Sequence, residues 1–270
     1  MSDVKIEITK KLAEEGDAEA QFSLGNSYHN GTGVPNDYSK AVEWHTKAAE
    51  QGHAGAQYNL GYYYDKGEGV PQDYSKAVKW FAKAAEQGVV WAQFKLGHCY
   101  HNGTGVPQDY SKAVEWFTKA AEQGDAEAQF SLGNSYHNGT GIPQDHSKAV
   151  EWYAKAAKQG HTGAQFNLGL CYAKGIGVSQ DNGQAVEWYT IAAKCGHAEA
   201  QNNLGICYYK GIGVSKDKGV ARTWFTKAAE QGNATARKNL DGLTENAVSF
   251  GTMIVGFIGG IFKMFFGSDE

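Results

Sequence analysis

The 270-residue chain carries 25 basic and 29 acidic side chains, and its sequence pI is about 6.1. This balance lacks the basic excess with which nucleic-acid-binding proteins neutralise phosphates, so we expect no nucleic-acid partner. Residues 1–11 lack the continuous apolar segment of a secretory signal, which predicts a chain that starts in the cytosol.

Two residue types recur at a fixed interval along most of the chain. Tryptophan returns every 36 residues at six positions, and glycine keeps the same interval at six others. These positions are Trp44, Trp80, Trp116, Trp152, Trp188 and Trp224, with Gly25, Gly61, Gly97, Gly133, Gly169 and Gly205. Such a period indicates tandem copies of one supersecondary unit, each burying its apolar face against its neighbours. Function is therefore expected first on a surface that several copies share.

Residues 1–16 precede the first copy and are predicted to form a capping half-copy. The segment from Leu12 to Gly16 stands where later copies read Ala-Ala-Glu-Gln-Gly, and Ile8 takes the tryptophan position. A repeat array needs terminal caps because its first and last copies each have only one neighbour.

Residues 17–232 hold six copies, each predicted to be an antiparallel pair of helices. In the second copy, small and apolar residues are spaced for a first helix from Ala56 to Tyr64. Glycine, proline and aspartate between Gly67 and Asp73 stop that helix, and a second helical pattern runs from Ala77 to Ala85. Aspartate recurs in all six copies at the position of Asp73, which predicts an N-cap for the second helix.

Three of the four cysteines occupy one repeat position, and Cys195 lies alone at the end of another segment. Cys99, Cys171 and Cys207 belong to different copies, so helix packing should separate neighbouring positions by roughly 10 Å. This distance exceeds the reach of a disulfide. We therefore predict reduced cysteines that pack as small apolar side chains on a helix.

Most copies share the motifs Ala-Gln-Phe/Tyr-x-Leu-Gly-x-x-Tyr, Gly-x-Gly-Val-Pro-x-Asp and Lys-Ala-Val-x-Trp-x-x-x-Ala-Ala. This pattern, over about residues 17–232, resembles the Sel1-like repeat family, a relative of the tetratricopeptide repeat with a longer turn. The resemblance implies an all-α fold, a right-handed α-solenoid of helix pairs, that serves as an adaptor or scaffold for other proteins. It implies no enzymatic chemistry and no cofactor. Ser179 and Ser215 replace the expected proline, and Arg222 replaces the usual valine, which affects turn rigidity and packing locally.

Residues 233–245 are predicted to form a C-terminal capping helix. Ala236 and Leu240 continue the register of a first helix, so the array would end on half a copy.

Partner binding is expected where the copies differ, because packing explains the residues that they share. The repeating tryptophan is assigned to the core, and the paired alanines and the Leu-Gly step are predicted to let two helices meet closely. By analogy with tetratricopeptide solenoids, the side of each first helix opposite the Leu-Gly step lines a concave groove. The predicted groove residues are Asn26, Asn30, Tyr62, Lys66, Trp91, His98, Asn102, Asn134, Asn138, Lys174 and Lys210. Aromatic, asparagine and lysine groups suit a peptide or protein partner whose backbone amides and carboxylates need hydrogen-bonding groups.

Trp91 is the most distinctive of these residues. The run Val89-Val90-Trp91 replaces the polar or small residues of the other copies. Two interpretations are open: Trp91 anchors a partner as a binding hot spot, or it adds packing between copies.

The sequence contains no recognisable catalytic motif, so we predict a protein that is not an enzyme. His98 and His101 flank Cys99 at helical spacing, but the sequence supplies no third and fourth metal ligand, and no metal is predicted. The alternative function is a hydrolase hosted on the repeat, an activity that has been proposed for some cysteine-rich relatives.

Residues 246–270 form an apolar tail that differs from everything before it. Between Val248 and Phe266 the one charged residue is Lys263. As a helix rising ~1.5 Å per residue, this run would span nearly the ~30 Å hydrocarbon core of a bilayer. We predict a hydrophobic C-terminal helix that anchors a cytoplasmic repeat body to a membrane.

A stripe of small residues in the tail predicts self-association of such helices. Thr252, Gly256 and Gly260 are spaced four apart, which lets two membrane helices approach closely. The alternatives are a soluble protein whose tail packs into its own groove or against the last copy, and a tail that binds a partner or oligomerises.

Overall fold

The computed structural model describes residues 2–243, with side chains from residue 4 onward. The predicted tail helix and its stripe at Thr252, Gly256 and Gly260 lie outside the described residues. Residues 2–243 form fourteen α-helices and no strand. Thirteen have the bounds α1 Ser2–Glu14, α2 Ala18–Asn30, α3 Tyr38–Glu50, α4 Ala54–Lys66, α5 Tyr74–Glu86, α6 Val90–Asn102, α7 Tyr110–Glu122, α8 Ala126–Asn138, α9 His146–Lys158, α10 Thr162–Lys174, α11 Asn182–Lys194, α12 Ala198–Lys210 and α13 Lys218–Glu230. The fourteenth, α14, covers residues 234–243.

The chain divides into two compact units, with the boundary inside α9. Unit 1 ends at Ala156, and unit 2 begins at Ala157. In each unit, consecutive helices pack on one another as an α-solenoid, so the all-α prediction is confirmed for the described residues. The first helix of a repeat is antiparallel to the second. In repeat 1, for example, the Asp37 amide at the start of α3 donates to the Tyr28 carbonyl near the end of α2 (2.9 Å).

The helix ends follow the turn chemistry that the sequence predicts. Gly67 ends α4 in the left-handed region (φ 73°), and its amide donates to the Tyr63 carbonyl. Asp73 is the N-cap of α5, because its carboxylate accepts from the Lys76 amide (2.9 Å). This hydrogen bond holds the pKa of Asp73 below its usual value. The predicted aspartate caps are therefore confirmed, here and in the other copies.

The two helices of a repeat interlock through a glycine and an aromatic ring. A Cβ placed on Gly61 would lie 2.6 Å from Cδ1 of Phe81, so only glycine lets this ring seat against the first helix. The same contact recurs at Gly97, Gly133, Gly169 and Gly205, each against the phenylalanine or tyrosine of its own repeat. Phe81 is buried in the core with Leu60. The predicted close approach at the Leu-Gly step is confirmed.

The repeating tryptophans lie at the edge of this core, and their assignment to the core interior is wrong. Trp80 is half-buried and packs against a cluster that contains Val42 and Leu60, while Lys83 Nζ lies 4.1 Å from the centre of its ring. The inward position belongs to the next residue, Phe81. Consecutive helical residues differ by about 100° in direction, so only one of two adjacent rings can point inward.

The cysteines of the repeat position are buried free thiols, as predicted. Burial raises the pKa of Cys99 and of Cys171 to about 11, so both thiols stay protonated at neutral pH. Cys207 is also buried and free, whereas Cys195 is free and exposed.

In repeats 1, 2, 3 and 6, a pair of glutamines ties the end of the second helix to the first helix of the same repeat. In repeat 1, Gln51 Nε2 donates to Gln21 Oε1 (2.8 Å) and to the Gly16 carbonyl (3.0 Å). Equivalent pairs join Gln87 to Gln57, Gln123 to Gln93 and Gln231 to Gln201. In repeat 5 the donor position holds Cys195, and Gln165 Oε1 is buried without a hydrogen-bond partner. Repeat 5 therefore lacks a stabilising bond that the other pairs make.

Cys195→Gln is expected to raise the free energy of unfolding by about 1 kcal/mol, because its amide can donate to Gln165 Oε1. Denaturant unfolding measures the difference. Cys195→Glu is the matched control, since glutamate is about the same size as glutamine but has no N–H donor when ionised. An equal gain in both variants would contradict the hydrogen-bond explanation.

Candidate binding surface on the first helices

Each unit presents a surface made by its first helices. In unit 1 this surface is marked by one half-buried residue from each of α2, α4, α6 and α8, namely Asn26, Tyr62, His98 and Asn134. In unit 2, Leu170 and Ile206 hold the same repeat position on α10 and α12. We call these two surfaces the first-helix faces of unit 1 and unit 2.

A cavity of about 250 Å³ opens on the first-helix face of unit 1, between α2 and α4. Asn59 Nδ2 donates to Asn26 Oδ1 (3.1 Å), and His29 Nδ1 lies 2.8 Å from the Tyr63 hydroxyl. Tyr58 and Tyr62 complete the lining. The structure thus brings together the predicted residues Asn26 and Tyr62. Asn59 and Tyr63, which the prediction omits, join them because their repeat positions face the neighbouring first helix.

His45 lies behind this cavity and is fully buried (0% exposed). Its Nε2 is 3.4 Å from Asn59 Nδ2, and its Nδ1 has no hydrogen-bond partner. Burial, followed by the charges of His29 and His53, lowers the pKa of His45 to about 4, so the imidazole is neutral at neutral pH. The sequence alone indicates that His45 is unusual, since the other five repeats hold phenylalanine or tyrosine at this position.

Trp91 begins the first-helix face of α6 and is 65% exposed. Its ring centre lies 6.2 Å from that of Tyr58, which is a contact on one side only. The remaining indole surface faces solvent. This geometry favours a surface anchor over packing between copies.

His98 is more enclosed than its place among the predicted groove residues suggests. Its ring lies 4.7 Å from Phe94 and 5.5 Å from Phe117, and its burial lowers its pKa, with a further contribution from His101. Asn134 already makes a hydrogen bond within its own repeat, because its Oδ1 accepts from the buried Tyr153 hydroxyl (2.7 Å).

The remaining predicted groove residues are exposed near the ends of the first helices. They are Asn30, Lys66, Asn102 and Asn138 in unit 1, and Lys174 and Lys210 in unit 2. Lys66 Nζ lies 3.5 Å from Asp65 Oδ2. A binding role for any of these side chains stays a prediction.

A second cavity, of about 380 Å³, opens in unit 2 and was not predicted. It is lined by residues of α10, α11, α12 and their turns, among them Ala173, Asn182, Tyr189, Asn203, Ile206 and Cys207. We call it the repeat-5 cavity.

The part of the chain that the structure describes holds neither a cluster of metal ligands nor a helix suited to crossing a membrane. Between residues 4 and 243, no three histidine, cysteine or acidic side chains are grouped so that they could hold a metal ion. None of the helices found between residues 2 and 243 combines the length and hydropathy that a bilayer crossing requires.

The repeat geometry agrees with a match to a known family model. The model described as the Sel1 repeat matches six segments, residues 18–53, 54–89, 92–125, 126–161, 162–197 and 198–233. The chain belongs to the Sel1-repeat family. Sel1-repeat proteins are generally non-enzymatic scaffolds for protein interactions, and repeat proteins of this kind bind proteins or peptides.

Solved structures of other Sel1-repeat proteins resemble this chain over most of its length. A protective antigen present in uropathogenic Escherichia coli strains, which displays an SLR fold, is 42% identical with a TM-score of 0.85. The match covers 90% of this chain and 52% of the antigen, so this Sel1-repeat chain spans about half of that relative. A Sel1 repeat protein from Oxalobacter formigenes is 38% identical with a TM-score of 0.73, over 87% of this chain and 68% of that protein. A comparison with curated proteins found no match.

Proposed function

We propose that this chain is a non-enzymatic adaptor that binds a peptide or protein segment on its first-helix faces. The observation that carries the proposal is Trp91, an indole 65% exposed beside Tyr58 on the first-helix face of unit 1. Exposed tryptophan is costly to leave in water and is enriched among residues that dominate binding energy. The nearby cavity with Asn26 and Asn59 adds hydrogen-bonding groups that suit a peptide backbone.

Trp91→Ala is expected to weaken partner binding at least about tenfold, because the residue would lose a hot-spot contact. The free energy of unfolding should fall by less than about 1 kcal/mol, since most of the ring is already in water. The partner probes are peptides selected from a random displayed library against the intact chain, with affinities measured by fluorescence anisotropy.

Ile191→Ala is the matched control for this test. Ile191 is a large apolar residue, 41% exposed, on the second helix α11, and it should leave peptide affinity unchanged. If Trp91→Ala lowers stability as much as binding, Trp91 serves packing and the proposed site is wrong. A library selection that yields no binding peptide would count against the adaptor function itself.

We also propose that residues 248–266 anchor the repeat body to a membrane, with the body in the cytoplasm. The support is the length and apolar character of this segment, whose one charged residue is Lys263. Deleting residues 247–270 should then move the chain from the membrane fraction to the soluble fraction. An intact chain that is soluble without detergent would contradict anchoring and favour a tail packed on its own repeats.

A further inference from the structure

The repeat-5 cavity exists because repeat 5 has lost a pair of rings. In repeats 1 and 3, a ring near the end of the first helix packs edge-on against the ring that starts the second helix. The ring centres are 5.4 Å apart for His29 and Tyr38, and 5.1 Å apart for His101 and Tyr110. At these two positions repeat 5 holds Ala173 and Asn182. Both line the cavity, so the missing rings account for the space.

No other repeat has small side chains at both positions. Repeat 2 keeps Tyr74 at the second position, and repeat 6 keeps Tyr209 at the first. The cavity of about 380 Å³ is therefore a local departure from the repeat pattern. Its volume falls in the range of pockets that bind small molecules, roughly 300–1,000 Å³.

The cavity lining is neutral and largely apolar. Burial raises the pKa of Tyr189 to about 12 and raises that of Cys207, so both remain uncharged at neutral pH. Ala173, Ile206 and Ile212 supply apolar surface. An uncharged apolar group is the occupant that this lining would favour, because a charged group would lose its hydration there.

Amide side chains at the cavity suit a peptide backbone. Asn182 and Asn203 line it, and each offers both a donor and an acceptor. Asn203 also forms a hydrogen bond with the Tyr189 side chain, which helps to orient its amide. These groups can pair with backbone N–H and C=O groups on either side of an inserted side chain.

The described part of unit 2 carries an excess of basic residues, although Asp181 lies between the lining residues Gln180 and Asn182. Residues 157–243 carry ten lysine or arginine and six aspartate or glutamate residues, a net charge of +4. Lys174 follows the lining residue Ala173, and Lys210 lies one helical turn beyond Ile206. Both lysines are exposed. Acidic groups that flank an inserted apolar side chain would meet this charge.

We infer that the repeat-5 cavity is an anchor pocket for one large apolar side chain of a partner's acidic peptide segment. The inference rests on the proposed function, since it names the partner chemistry that one part of the first-helix face of unit 2 would select. Ala173 and Asn182 provide the space, the amides of Asn182 and Asn203 hold the backbone, and Lys174 and Lys210 attract the acidic flanks.

The test uses the displayed peptide library on the intact chain and a variant that closes the pocket. Ala173→His together with Asn182→Tyr rebuilds the ring pair of His101 and Tyr110, which this fold already accommodates. Peptides with a large apolar residue flanked by acidic residues should be enriched. They should bind the double variant at least about tenfold more weakly. Helical circular dichroism checks that the variant is folded.

Two further variants separate the contributions. Lys174→Glu with Lys210→Glu should weaken the same peptides and reduce the salt dependence of their binding. Cys195→Gln, which also restores a common residue to repeat 5, should leave their affinity unchanged. If no such peptides are enriched, or if they bind the closed variant equally well, the pocket assignment is wrong. The adaptor proposal would still stand if other selected peptides depend on Trp91, and both would fail if no peptide binds.

Discussion

Gly105→Ala is expected to lower the free energy of unfolding by about 3 kcal/mol, whereas Gly88→Ala should cost about 1 kcal/mol. Both glycines have positive φ, 73° and 86°, so both variants incur the left-handed penalty of an L-residue. The two positions differ in the room that they leave for a Cβ atom. A Cβ on Gly105 would lie 2.3 Å from the Tyr74 carbonyl oxygen, but one on Gly88 would meet nothing within 4 Å.

The difference arises because Tyr74 O belongs to backbone that starts α5, and backbone cannot swing aside as a flexible side chain can. The overlap must then be relieved by moving the turn or the helix, which typically costs about 1–3 kcal/mol. Urea unfolding of the two variants measures the losses. Equal losses would mean that the turn relaxes freely and that the contact between Gly105 and Tyr74 does not constrain the repeats.

Acidification is expected to destabilise the wild-type chain by about 3 kcal/mol through His45 alone. The unfolded pKa of this residue is 6.5, and burial lowers the folded value to about 4. Below pH 6.5 His45 is protonated in the unfolded chain but stays neutral in the folded chain until about pH 4. The free energy of unfolding therefore falls as the pH decreases from about 6.5 to about 4. Below that range both states are protonated, and the loss stops growing.

The surroundings of His45 offer no compensation for a positive charge. Phe22, Tyr63 and Asn59 contact or approach its ring, and the coulombic effects of His29 and His53 lower its pKa rather than raise it. No carboxylate contributes to its pKa. A proton on the orphaned Nδ1 would therefore remain buried without a partner.

His45→Phe is the control that isolates this effect. The variant recreates the pair of Gly61 and Phe81 at Gly25, so it should fold and should lose less stability than the wild type between pH 7 and pH 4.5. The comparison is made by urea unfolding at both pH values. If the two proteins lose the same stability, another group is responsible for the acid sensitivity.

The sequence predicts the helix pairs and caps well because these depend on local chemistry. The glycine, proline and aspartate between Gly67 and Asp73 stop one helix and start the next whatever surrounds them. The 36-residue period predicts the repeat register, since comparing the six copies shows which positions keep the same residue. Choosing between Trp80 and Phe81 as the buried ring was not possible in this way, because both are apolar, adjacent and recurrent.

The candidate sites depend on neighbours that are distant in sequence. Residues 17–33 and 125–141 are identical, yet Asn26 accepts from Asn59 and Asn134 accepts from Tyr153. The difference comes from the second helix, which supplies His45 in repeat 1 and Tyr153 in repeat 4. The repeat-5 cavity also depends on residues that are apart in sequence, since Ala173 and Asn182 line one cavity only when the turn between them brings them together. The binding role of the predicted groove residues rests on surface chemistry that no local pattern determines.

The contact at Gly105 also bears on how such a chain can change in length. Gly69, Gly105, Gly141 and Gly213 each lie against the backbone of the residue 31 positions earlier, which starts the second helix of the previous repeat. Adding or deleting one residue in a turn would shift this glycine and break the match with the previous repeat. Only an insertion or loss of a whole copy keeps every such contact. The identical stretches 17–33 and 125–141 are what duplication of whole copies within a gene leaves behind.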